Sequence, residues 1–132
     1  MTDVDKVMFI LYVKDQEQSK KFYENIFEMN PTLHVPGMTE FNLAENITIG
    51  IMPGDNIARI LNHKVVNPNE VSGVPRCEIY LFVDNPDTYY DKVVNAGGHG
   101  ISRGQLRNWG DYVSYCSDFD GNILAFAARK TS

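Results

Sequence analysis

The chain has 132 residues, of which 43% are hydrophobic and 22% are charged, and its net charge is −5 at neutral pH. This length and composition are typical of one compact globular domain. The negative charge argues against a nucleic-acid-binding protein, which would carry a basic face. No apolar run approaches the roughly 18 residues of a transmembrane helix, and the first residues lack the basic and apolar segments of a signal peptide. We therefore expect a cytoplasmic protein without a membrane or nucleic-acid partner.

The first half of the chain predicts the element order β-α-β-β-β. Residues 7–13 are apolar and partly β-branched, which is typical of a strand buried on both faces. Asp15 is placed to cap a helix over residues 16–27, because its carboxylate can accept the free N–H groups of the first turn. Short strands are expected at residues 32–35, 39–44 and 48–52.

The second half predicts the same order again. A strand begins at Glu78, Asn85 and Pro86 open a helix, and Gly97 and Gly98 end it. Further strands are expected at residues 99–102, 112–117 and 122–127, with a loop or bulge at 105–110. Residues 55–74 read as a linker that contains one short helix near residues 56–61.

These two halves form an internal repeat. Val13 and Asp15 after the first strand correspond to Val83 and Asn85 about 70 residues later. One domain over residues 1–132 is thus predicted to consist of two modules, at about 5–54 and 75–130.

Other polar residues have ordinary interpretations. His34, His63 and His99 lack the spacing of a metal pair and are expected at the surface. The segment 118–122 predicts a hairpin turn rather than a calcium loop, because further oxygen ligands do not follow. Cys77 and Cys116 form no paired motif and are expected to be reduced residues of the core.

The segment from Trp109 to Tyr115, followed by the Asp-x-x-Gly-Asn turn at 118–122 and combined with Val13 and Asp15, resembles the vicinal oxygen chelate superfamily. That superfamily includes glyoxalase I, bleomycin-resistance proteins, fosfomycin-resistance enzymes and extradiol dioxygenases. The resemblance covers residues 7–129. It implies an α+β fold in which two β-α-β-β-β modules form a cupped mixed β-sheet with the helices outside, and it implies a homodimer.

In the enzymes of this superfamily, four inward-facing strand positions carry His or Glu and hold a divalent metal. The resemblance places these positions at Met8, at or near Gly50, at Glu78 and at Ala125. Only Glu78 is a suitable ligand, since methionine is a soft thioether and one carboxylate cannot replace a site of three or four ligands. We therefore expect neither a metal nor another cofactor.

The same strands predict an aromatic pocket. If Met8 and Glu78 face inward, strand alternation brings aromatic side chains to the same concave face. Such a pocket with a single carboxylate suits a flat or cationic organic ligand. The expected pocket residues are Met8, Tyr12, Glu78, Tyr80, Trp109, Tyr115 and Ala125.

Alternatives stay open for these residues. The aromatic side chains could simply fill the core, and Glu78 could form a structural ion pair with an arginine; the candidates are Arg76, Arg103 and Arg107. Arg103 and Arg107 could instead gate the pocket or contact an anion.

We predict a metal-independent protein of the bleomycin-resistance type that binds a small aromatic or cationic molecule, and we assign no catalytic residue. The alternative is a metal-dependent lyase or dioxygenase of the glyoxalase type, with an atypical ligand set that includes Glu78. A third hypothesis is a structural or regulatory protein without a ligand. Whether the protein is an enzyme stays open, and binding without turnover is the preferred hypothesis.

Overall fold

A computed structural model describes residues 2–71 and 73–129. The chain divides into two compact units, unit 1 at residues 1–72 and unit 2 at residues 73–132. Each unit contains one four-stranded mixed sheet. The α+β class and the repeated β-α-β-β-β order are confirmed, and the joining of the two sheets into one cup stays a prediction.

Unit 1 has the sheet order β1-β4-β3-β2, with β1 parallel to β4 and the other pairs antiparallel. Two helices and one 3₁₀ turn complete it. Its elements are β1 (Val7–Val13), α1 (Gln16–Phe27), β2 (Leu33–Val35), β3 (Met38–Ala44), β4 (Ile47–Pro53), α2 (Gly54–Ile60) and the turn Pro68–Glu70.

Helix α1 has the predicted bounds because its start is set locally. The Asp15 carboxylate accepts a hydrogen bond from the N–H of Gln18 at 3.0 Å, which caps the first turn. Phe22, Tyr23 and Ile26 are at most 2% exposed, and they form the stripe that covers β3 and β4. This stripe attaches the helix to one face of the sheet.

Strand β1 is not buried on both faces, contrary to the prediction. Leu11 and Val13 are buried, but Phe9 is 48% exposed and Met8 and Tyr12 are also exposed. The reason is that α1 packs mainly against β3 and β4 and leaves much of β1 uncovered.

Unit 2 repeats this topology, with the sheet order β5-β8-β7-β6 and β5 parallel to β8. Helix α3 packs against β6, β7 and β8. The elements are β5 (Glu78–Phe82), α3 (Pro86–Asn95), β6 (His99–Leu106), β7 (Asp111–Ser117) and β8 (Ile123–Arg129).

Helix α3 is capped and terminated as predicted. The Asn85 side chain accepts hydrogen bonds from the N–H groups of Asp87 and Thr88, and Gly97 after the helix has a φ of +96°. On this helix Val93 is fully buried, whereas Val94 is 45% exposed.

Strand β6 continues to Leu106, so the predicted loop at 105–110 is shorter and spans 107–110. Two register shifts interrupt its pairing with β7, between Gly100 and Ser102 and between Ser102 and Gln105. The Tyr112 ring lies directly on Gly104, where any Cβ would collide with it. Bulges and glycines inside a strand resemble loop signals in the sequence, which explains the wrong boundary.

Among the remaining sequence predictions, one is wrong and the others agree with the structure. Cys116 is fully buried in β7, but Cys77 lies one residue before β5 and is exposed, so its predicted place in the core is wrong. The three histidines are exposed, as expected. Residues 118–122 form the predicted turn, in which the Asp118 carboxylate accepts hydrogen bonds from the N–H groups of Asp120 and Asn122 at 2.9 Å.

Over the described ranges, every helix is too short or too polar to cross a bilayer.

Candidate functional site

The four positions that the resemblance gives to a metal occupy equivalent places in the two units. In unit 1, Gly50 on β4 pairs with Ile10 on β1, and Met8 lies two residues before Ile10. In unit 2, Ala125 on β8 pairs with Tyr80 on β5, and Glu78 lies two residues before Tyr80. The pairings confirm that the repeat relates Met8 to Glu78 and Gly50 to Ala125.

These positions do not fit a divalent metal. A Cβ on Gly50 would lie 2.5 Å from Ile10 Cδ1, 3.2 Å from Met38 Sδ and 3.4 Å from Met8 Cε, so apolar side chains fill that space. Ala125 is fully buried and has no donor atom. Within residues 2–71 and 73–129, no group of three or more His, Cys, Asp or Glu side chains could hold a metal ion. Of these four positions, only Glu78 offers an oxygen ligand.

Unit 2 instead has an aromatic face, on the side of its sheet opposite α3. Ser114 on β7 donates to the Pro86 carbonyl of α3, so its neighbours in the strand, Val113 and Tyr115, point to the opposite side. The register extends this side across β5 and β8. The aromatic face comprises Glu78, Tyr80, Phe82, Asp111, Val113, Tyr115, Ala125 and Ala127.

Small residues beneath large rings shape the aromatic face. Val113, Ala125 and Ala127 are fully buried, and the partly buried rings of Tyr80 and Tyr115 pack against them. The alanines leave room for both rings to lie against the sheet. The predicted pocket residues Tyr80, Tyr115 and Ala125 are thus brought together.

A hydrogen-bond network fixes one end of the face. The Tyr80 hydroxyl donates to Asp111 Oδ2 at 2.6 Å and accepts from Trp109 Nε1 at 2.9 Å. Burial of the ring, followed by the hydrogen bond to Asp111, raises the pKa of Tyr80, so this hydroxyl stays protonated. Trp109 is 59% exposed. The network orients the indole while leaving its surface accessible.

The hairpin between β6 and β7 positions Trp109 and Asp111, the two partners of the Tyr80 hydroxyl. The N–H of Arg107 donates to the Asp111 carbonyl at 2.8 Å, and the N–H of Gly110 donates to the Arg107 carbonyl at 3.0 Å. Gly110 has a φ of +99°, which the tight turn requires and which favours glycine. The short hairpin thereby holds Trp109 at its tip.

Glu78 is an exposed carboxylate at the other end of the aromatic face. It forms no ion pair with any residue in the described ranges, so none of the predicted pairs with Arg76, Arg103 or Arg107 is present there. Its charge still acts on the face: burial, and then the negative charge of Glu78, raises the pKa of Tyr115.

Arg107 belongs to the same face. Its Nη2 donates to Ser102 Oγ at 2.8 Å and to the Val113 carbonyl at 2.9 Å. Its guanidinium lies over the Tyr115 ring, 5.0 Å from the centroid. Its Nε is buried and has no hydrogen-bond partner.

Arg103 lies on the other side of the sheet. Its Nη2 is 2.9 Å from Asp91 Oδ1, and its guanidinium lies 4.5 Å from the centre of the Tyr90 ring. Both partners belong to α3. The structure therefore brings Arg107, and not Arg103, to the aromatic face.

The remaining predicted residues, Met8 and Tyr12, lie on β1 of unit 1, where both side chains are exposed. Asp111 was missed by the sequence reasoning. Its alternation with Val113 and Tyr115 on β7 is the signal that would have placed it on the aromatic face.

A shallow, open depression of about 570 Å³ lies where β5 and β8 end. The guanidinium of Arg129 lies over the Phe82 ring there, 5.2 Å from its centroid. The lining residues are Phe82, Val83, Asp84, Ala127, Ala128 and Arg129.

Comparisons place this architecture among known folds. A family model described as a glyoxalase-like domain matches residues 6–128. Similar solved structures include a hypothetical protein from S. aureus, with 22% identity, a TM-score of 0.74 and coverage of 96% of this chain and 95% of the other. A glyoxalase-related enzyme from Fulvimarina pelagi has 20% identity, a TM-score of 0.74 and coverage of 96% and 89%.

A glyoxalase/bleomycin resistance protein/dioxygenase family enzyme from Burkholderia phytofirmans PsJN has 12% identity and a TM-score of 0.78, with coverage of 93% of this chain and 97% of the other. At these identities the likeness shows a common fold. No curated protein matches the sequence significantly.

Proposed function

Because this chain belongs to the glyoxalase-like domain family, whose model matches residues 6–128, we propose that it binds a small aromatic or cationic molecule without a metal, as a bleomycin-resistance-like protein. The aromatic face of unit 2 is the proposed binding surface. The protein would act as a cytoplasmic homodimer and would need no cofactor.

One observation carries the proposal: the Glu78 carboxylate has no cationic partner among the described residues, yet it lies on a face built from tyrosine rings. A carboxylate beside aromatic rings attracts an organic cation, both by charge and through the ring quadrupoles. Trp109 adds an exposed aromatic surface that the Tyr80 hydroxyl holds in place. Rigid rings favour binding, because little side-chain entropy is lost when the ligand arrives.

Metal independence is supported by the ligand positions themselves. Met8, Gly50 and Ala125 offer no hard donor atom, and the space over Gly50 is filled by apolar side chains. A lone carboxylate is a poor substitute for a site of three or four ligands.

The only tryptophan of the chain, Trp109, provides the test. We expect benzylammonium to change its fluorescence with a dissociation constant about tenfold lower than that of neutral benzyl alcohol, since cation–π and ion-pair attraction act together. Glu78→Gln should remove this preference. Glu45→Gln, an exposed glutamate of unit 1, is the matched control and should leave it unchanged. If Glu78→Gln and the unmodified protein bind benzylammonium equally tightly, the proposal is wrong.

A calorimetric titration addresses the alternative of a metal-dependent lyase or dioxygenase. Chelator-treated protein should give no stoichiometric heat with Ni²⁺, Zn²⁺, Mn²⁺ or Fe²⁺. Tight binding of one metal ion that is lost in Glu78→Gln would contradict metal independence and would support the alternative.

A further inference from the structure

Two opposite charges on the aromatic face are not paired with each other. Glu78 on β5 pairs with Ile123 on β8, and Tyr115 on β7 pairs with Ala125, which is two residues further along β8. Arg107 lies over Tyr115 from the hairpin side. Over the described ranges neither charge has an ion-pair partner. Both nevertheless act on Tyr115, whose pKa Glu78 raises and Arg107 lowers, although burial has the largest effect.

Arg107 cannot reach Glu78 without cost to the protein. Its Nη2 makes hydrogen bonds to both Ser102 Oγ and the Val113 carbonyl, and its guanidinium is stacked on Tyr115. Swinging the side chain towards Glu78 would break all three contacts. The separation of the two charges is therefore built into the fold.

One nitrogen of the Arg107 guanidinium remains available for an acceptor. Its Nη1 has only a long contact of 3.5 Å to Gln105 Oε1, whereas its Nε is buried. A carboxylate can accept a charge-assisted hydrogen bond from Nη1. The Tyr115 hydroxyl makes no hydrogen bond within the described part of the chain, and it can act as a further donor beside the guanidinium that lies over its ring.

We propose that the ligand of the aromatic face is an aromatic zwitterion, whose cationic group binds at Glu78 and whose carboxylate binds at Arg107. This inference rests on the proposed function and names the ligand class for it. A ligand with both charges satisfies two groups that the protein leaves unpaired, whereas a simple cation satisfies only one.

Three small aromatic probes test the zwitterion on the unmodified protein. The probes are para-(aminomethyl)benzoate, which carries both charges, benzylammonium, which carries only the cation, and benzoate, which carries only the anion. We expect the zwitterion to bind at least about tenfold more tightly than either single-charge probe, measured by Trp109 fluorescence and by calorimetry.

Variants locate the two ends of the ligand. Arg107→Gln should remove the preference for the zwitterion, so that this variant binds the zwitterion no more tightly than it binds benzylammonium. Arg103→Gln, on the opposite side of the sheet, is the matched control and should change neither affinity. Since Arg107→Gln also removes hydrogen bonds to Ser102 and Val113, its folding is checked by circular dichroism, and the probe comparison on the unmodified protein stands without it.

The outcomes separate the two proposals. If benzylammonium binds as tightly as the zwitterion, the zwitterion is overturned and the proposed function stands. If benzoate binds as tightly, Glu78 has no part in recognition and the zwitterion is again overturned. If none of the probes binds, the proposed function fails, and this inference fails with it.

Discussion

In the candidate site, small side chains lie beneath the rings of two tyrosines, and the hydroxyl of one of them makes two hydrogen bonds. The Tyr80 hydroxyl is both a donor to Asp111 and an acceptor from Trp109, so one atom joins strand β5 to the tip of the β6–β7 hairpin. Tyr115 packs on the same buried residues but makes no such bond within the described residues. The two tyrosines therefore offer a matched pair for experiment.

Replacing Tyr80 with phenylalanine should release Trp109. The change removes both hydrogen bonds while keeping the ring, so we expect a loss of about 1 kcal/mol in the free energy of unfolding and stronger acrylamide quenching of Trp109. Tyr115→Phe is the control and should leave the quenching unchanged. Identical quenching in the two variants would show that the hydroxyl of Tyr80 does not hold the indole.

At the scale of elements, an aspartate at the start of α3 ties this helix to the sheet. The Asp87 carboxylate accepts from the Tyr112 hydroxyl at 2.5 Å and from the N–H of Gly104 at 2.8 Å. These two bonds, with Tyr112 contributing most, lower the pKa of Asp87. Because the pKa is lower in the folded state than in the unfolded chain, the carboxylate stabilises the fold above its unfolded pKa. That contribution is lost as the pH falls through the folded pKa.

Asp87→Asn should therefore destabilise the protein in a pH-dependent way. We expect a loss of about 1–2 kcal/mol near neutral pH and a much smaller loss at a pH below the folded pKa of Asp87, where the carboxylate of the unmodified protein is also protonated. Urea unfolding at the two pH values measures this. The control is Asp91→Asn, which removes only the exposed pair with Arg103 and should cost less than about 1 kcal/mol. A loss in Asp87→Asn that is independent of pH would contradict the assignment.

For the whole molecule, the repeated topology of the two units and the exposed apolar residues of β1 bear on assembly. Phe9 is 48% exposed and Val7 is 38% exposed. Large exposed apolar side chains often mark protein–protein contacts. This agrees with the homodimer that the family resemblance implies, which we retain as a prediction.

Sedimentation velocity at micromolar concentration should give a species of twice the 15.0 kDa chain mass. Phe9→Asp should shift it towards the monomer, because a charge would have to be buried in the contact. Val66→Asp, at a position in the connecting segment that is 65% exposed, is the control. A single 15.0 kDa species for the unmodified protein would refute the dimer.

Features with local causes were predictable from the sequence. Asp15 and Asn85 cap their helices through neighbouring N–H groups, so the starts of α1 and α3 follow from a few adjacent residues. The repeat, and with it the lack of hard donor atoms at Met8, Gly50 and Ala125, is likewise visible in the residue order.

Other features depend on contacts between distant residues, and only the tertiary structure decided them. Strand β6 runs through Gly100 and Gly104 because the rings of Tyr90 and Tyr112 occupy the space beside these glycines, which local pattern cannot show. The bond from Tyr80 to Asp111 joins residues 31 positions apart.

The positions of the two arginines of the predicted gate also depend on the tertiary structure. Arg103 and Arg107 look equivalent in the sequence, yet the register shifts in β6 and the hairpin after it send them to opposite sides of the sheet. The sequence by itself determined which residue types are available in the repeat and which helices form, because caps and periodicity act over a few residues. The packing of distant strands decided which side chains meet on the aromatic face.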